Sequence, residues 1–124
     1  MAPRVPVTTQ QVPYSGLVPA HTAPTVDGDV VDVGRCHLSV INGGGAPITV
    51  TVQTPGVVDG DLPITDRVVT VPVGTTPKII PLNSVNYKQT PASAVLPADA
   101  GRAYVDYSTI ASVTRAVVGS AMLP

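Results

Sequence analysis

Proline punctuates this chain so densely that neither a helix nor a strand can run far. Of its 124 residues, 14 are Pro and 11 are Gly. Each Pro removes a backbone donor and holds φ near about −65°, which breaks helices and ends strand pairing. The segments between are rich in Val, Thr and Ile, whose branched Cβ atoms suit strands better than helices. A long helix would draw on Ala, Leu, Glu and Lys, and the sequence contains no Glu at all. The pattern therefore predicts an all-β protein of short strands, at a length that fits one domain.

The same composition narrows function. Only 12% of residues are charged and the formal net charge is −1, so there is no basic stripe for nucleic acid. No apolar run approaches the roughly 20 residues that span a bilayer, so no membrane partner is expected. No apolar segment follows the N-terminal Met1, which argues against a secretory signal. Cys36 is alone, which excludes an internal disulfide and fits synthesis in a reducing cytoplasm. There is no Phe and no Trp, so the core must be thin and aliphatic. A thin core makes association with neighbours a useful source of stability.

Two regions stand out. Residues 1–25 carry five prolines and one charge, Arg4, among the aliphatics Val5, Val7, Val12, Leu17 and Val18 and the aromatic Tyr14. Such a segment favours extended conformations and is either a disordered or self-packed tail or an arm that lies in a groove on a partner. The partner reading makes Arg4, Val5, Val7, Val12, Tyr14, Leu17 and Val18 the candidate contact residues. Residues 26–124 form the domain. Its strand-like runs are 30–33, 35–41, 48–53, 67–73, 78–82, 102–108 and 112–118. The cleanest alternates Ile48, Val50 and Val52 with Thr49, Thr51 and Gln53. Pro72 marks the run at 67–73 as an edge strand or its end. A single helical turn is expected near 91–95. About seven strands at this spacing predict a small β-sandwich, Ig-like or jelly-roll-like, or a small barrel. In the run 102–108, Ala103, Val105 and Tyr107 share one face. Tyr104 lies on the other and is the candidate interface anchor.

Candidate chemistry is sparse. Asp27-Gly28-Asp29 and Asp59-Gly60-Asp61 are two similar turns whose carboxylates could attract Ca²⁺. That ion needs about six to eight oxygens, however, and the simpler reading is Asp-Gly turn chemistry. Cys36 and His37 are adjacent, so on a strand they point to opposite faces and cannot serve one reactant. A zinc site would need about four ligands, and only His21 is otherwise available. No G-x-S-x-G elbow is present, and Gly43-Gly44-Gly45 precedes neither a Lys-Ser/Thr pair nor a helix. The expectation is a non-enzyme with no cofactor and no metal.

The order of segments resembles that of small virion proteins encoded by tailed bacteriophages of actinobacteria. The resemblance runs through residues 40–43, 46–52, 54–60, 66–76, 80–82, 101–108 and 112–117, within residues 26–118, and leaves the proline-rich arm outside. It implies a head protein, in particular a capsid decoration (cement) protein on the virion surface. It also implies binding to the major capsid protein of the phage head, and self-association, with a trimer suggested by threefold positions on shells. A head–tail connector or tail component is the alternative within the virion. An Ig-like adhesion or carbohydrate-binding module is the alternative from another class.

Overall fold

The computed structural model describes residues 5–13, 15–55, 57–82, 87–90 and 99–119. Its strands, numbered along the chain, form two main sheets. The first has five strands in the order β1 (Val5–Pro6), β3 (Asp29–Val31), β10 (Ala103–Tyr107), β5 (Ile48–Val52) and β8 (Arg67–Val71). The second has four, in the order β2 (Thr9–Gln11), β11 (Val113–Gly119), β4 (Cys36–Asn42) and β9 (Lys78–Pro81). A separate hairpin joins β6 (Val57–Val58) to β7 (Leu62–Pro63). The protein is an all-β sandwich, and the described residues contain no α-helix.

All seven runs read from the sequence are strands: β3, β4, β5, β8, β9, β10 and β11. The four additional strands, β1, β2, β6 and β7, are two or three residues long. Two of them contain Pro, and none is long enough to show an alternating pattern. Pro72 does what its chemistry requires. β8 ends at Val71 and lies at the edge of its sheet, where a missing donor costs nothing. The helical turn expected near 91–95 falls outside the described residues.

The inner faces follow from period-2 alternation. Val31, Ala103, Val105, Ile48, Val50, Val52 and Val71 of the first sheet meet Leu38, Val40, Ile80, Val113 and Val117 of the second in one core. Leu82 and Tyr87 extend that core, and Tyr107 packs against it. In β5 the burial alternates residue by residue, as its Ile/Val and Thr pattern dictates.

The N-terminal region is extended, but residues 5–11 are woven into the chain's own sandwich. β1 pairs in parallel with β3, and β2 pairs in parallel with β11. Only Val7 and Thr8 carry the chain from one sheet to the other. Further on, Thr22 makes an isolated antiparallel bridge to Arg115 and covers more of the β11 edge. On the opposite side of the sandwich, residues 72–77 lead from the edge strand β8 to the edge strand β9.

Candidate interaction surface

The most polar part of the interior is a clasp between the sheets. Asp29 lies two residues from inward Val31 on β3, and Arg115 lies between inward Val113 and Val117 on β11, so both point into the core. Asp29 is fully buried and Arg115 is 5% exposed. The guanidinium grips the carboxylate with two donors, Nε to Oδ2 at 2.7 Å and Nη2 to Oδ1 at 3.2 Å. The Tyr107 hydroxyl donates to the same Oδ2 at 2.7 Å, and Arg115 Nη1 donates to the Thr22 carbonyl at 3.3 Å and to its hydroxyl. Burial, and then the adjacent Asp29 charge, pushes the Tyr107 phenol well above its ordinary value. Burial alone would lower the Arg115 guanidinium; its bonds to Asp29 outweigh this and hold it above its usual value.

Other carboxylates are likewise turned toward the chain itself. Asp32 accepts from Arg102 Nε at 3.0 Å and from the Thr9 hydroxyl. Asp66 accepts from the Thr54 backbone at 2.8 Å, and Asp106 from Gln53 at 2.9 Å. Asp99 accepts from the Tyr104 hydroxyl at 2.6 Å. The two Asp-Gly-Asp turns thus have different roles. The first delivers Asp29 to the clasp, whereas in the second Asp59 and Gly60 turn the β6–β7 hairpin with φ of 56° and 82°. Among the described residues, no group of three or more His, Cys, Asp or Glu is placed to hold a metal ion. No helix among them is long and apolar enough to cross a membrane.

The contact residues read from the sequence are dispersed. Arg4 and Tyr14 lie outside the described residues. Val5 is exposed, Val12 and Leu17 are half-buried, and Val18 is 91% exposed. Val7 is not displayed: as the chain crosses between the sheets, its side chain enters the core and is 8% exposed. Tyr104 is likewise no surface anchor. It pairs with Val30 on the outer side of its sheet, yet that side is covered there, and Tyr104 is 3% exposed with its hydroxyl bound to Asp99.

Exposed aliphatics occur elsewhere, three of them in runs the sequence reading assigned to strands alone. Leu62, Val68, Val73 and Ile79 are each about half exposed, at 53%, 56%, 48% and 51%. Val68 and Ile79 belong to the edge strands β8 and β9. Ile79 also borders a shallow groove of about 510 Å³. Val12 and Pro81 supply further apolar walls, Arg35 and His37 the polar ones, and Cys36 also lines it. Burial and the nearby Asp32 charge push the Cys36 thiol upward, so it is a poor nucleophile. The period-2 pattern held a usable signal for this surface, since Ile79 must face opposite to core-facing Ile80. Comparison with family models, curated proteins and solved structures finds no match for this chain.

Proposed function

We propose that this protein is a structural subunit of a bacteriophage virion. Its place is the outside of the head shell, as a capsid decoration protein that binds the major capsid protein and stabilises the assembled shell. The observation that carries the reading is the division of polarity. Asp29, Asp32, Asp66, Asp99 and Asp106 are bonded within the chain, whereas Val68, Val73 and Ile79, on and beside the β8 and β9 edge strands, are about half exposed, and Ile79 borders a groove. A chain only 12% charged and supplied with exposed aliphatics suits permanent contact better than turnover. The binding mechanism is burial of Ile79, Val12 and Pro81 against the shell, with the β8 or β9 edge available for strand addition.

The test is location and copy number. Particles purified from the source of this sequence are quantified for the chain by mass spectrometry and imaged with a specific label. Hundreds of copies distributed over the head are the expected result. About a dozen copies at one vertex would make the chain a connector, and absence from particles would end the virion reading.

A further inference from the structure

Residues 5–11 grip both sheets at their edges, yet the link that follows does little to keep them there. Val5 and Val7 donate backbone N–H bonds to Gly28 and Val30 at 3.3 and 2.9 Å, and Val12 donates to Gly119 at 3.1 Å. The Thr9 hydroxyl bonds to Asp32. The Gln10 side chain clasps the Ala20 backbone with two bonds of 2.8 Å. Between Gln10 and Ala20 the chain folds back through Gly16, whose φ is 94° and whose N–H donates to the Pro13 carbonyl at 3.0 Å. Pro13 and Pro19 flank this turn, although Pro favours an extended link. Val18 is 91% exposed, so the folded-back form shelters little of it.

We infer that this segment is exchanged between copies of the chain, with residues 5–11 of one copy occupying the β3 and β11 edges of a second. Because the copies are identical, the bonds of residues 5–12 to the sandwich and of Gln10 to Ala20 are reproduced in the exchanged form; only the link changes, from a turn held by the Gly16–Pro13 bond to an extended run. The hinge lies between Gln10 and Ala20. Beyond it, Thr22 is tied to Arg115 by two backbone bonds of 3.0 and 2.8 Å and stays with its own sandwich. Extension brings the links of two copies alongside each other, where Leu17 and Val18 can cover one another.

The second copy is the occupant that fits because the receiving site is shaped for this sequence. Val7 has its place in the core, and Thr9 sits between Asp32 and Cys36. Gly119 leaves the space that the Thr9 methyl fills, since a Cβ there would lie 2.8 Å from it. The inference is independent of the virion reading, because it concerns the chain alone.

The test uses the native Cys36 as a reporter. Thr9→Cys sets a second thiol across Gly119 from it, with β11 between the two strands, so a short bis-maleimide links β2 to whichever sandwich it occupies. Exchange gives covalent species at two or more times the 12.6 kDa chain mass on a non-reducing gel. Neither the unmodified chain nor Thr9→Cys/Cys36→Ser should give them. Internally bridged single chains at every concentration would overturn the inference, as would equal oligomer formation by the controls. Should Thr9→Cys fail to fold, Gln10→Cys/Ala20→Cys in a Cys36→Ser background reports on the same hinge from partly or fully exposed positions. Bridging that pair with a short bis-maleimide must again join different chains, and bridging within single chains would again overturn exchange.

Discussion

Burying Asp29 and Arg115 together carries a desolvation cost that their attraction largely offsets, so the pair matters most when one member is missing. Replacing Arg115 by Met leaves the Asp29 carboxylate among valines with only hydroxyl partners. The expected loss is about 3–5 kcal/mol, a large share of the roughly 5–15 kcal/mol that holds a domain of this size folded. Urea titration measures it. The double variant Asp29→Leu/Arg115→Met removes both charges, and a smaller loss is expected than for Arg115→Met alone. Tyr107 adds a pH dependence. Its folded pKa is raised, so the fold retains the phenolic proton while the unfolded chain releases it near about pH 10. This contribution is complete below that pH and is lost above it, at up to about 1.4 kcal/mol per pH unit for one proton. Tyr107→Phe should therefore lose stability less steeply above about pH 10. At neutral pH it should be weaker by about 1.5–3 kcal/mol, the typical worth of a hydrogen bond to a charged group.

At the scale of the element, the short N-terminal strands depend on a small residue far along the chain. Gly119 ends β11 opposite Gln11, and its bare Cα lets Thr9 and Cys36 approach. Gly119→Ala puts a methyl into the stiff Thr9 side chain, so β2 must shift or separate. The expected cost is about 1–3 kcal/mol, with faster amide exchange at Val12, whose N–H bonds to Gly119. Unchanged exchange at Val12 would show that β2 is not held by this fit. The contrast between β5 and β2 explains what could be read beforehand. Ile48, Val50 and Val52 announce their strand and its buried face by alternation alone. Thr9, Gln10 and Gln11 have no apolar pattern; they are a strand because β11 offers an edge more than a hundred residues later. The clasp is invisible for the same reason. Asp29 and Arg115 are 86 positions apart, and only the oddity of an Arg between Val113 and Val117 hints at an internal partner. Tyr104 misled because alternation gives the side of a sheet and not whether a loop covers that side.

For the molecule as a whole, the open question is which side meets a partner, and exposed aliphatics allow stability to be separated from binding. Ile79 is 51% exposed and borders the groove, while Val26 is 81% exposed and does not line it. Neither side chain belongs to the core, so Asp at either site should change folding stability by no more than about 0.5 kcal/mol. Their effects on assembly should differ. A buried charge opposite an apolar shell surface costs more than the roughly 1.4 kcal/mol that corresponds to tenfold in affinity. On the proposed decoration role, Ile79→Asp should therefore reduce occupancy of heads at least tenfold at limiting protein, with Val26→Asp binding like the unmodified chain. Quantitative gels of sedimented heads, beside thermal melts of each free variant, provide both readings. Equal occupancy for the two variants would move the contact away from the four-stranded sheet. A loss confined to Val26→Asp would assign it to the side closed by the N-terminal strands.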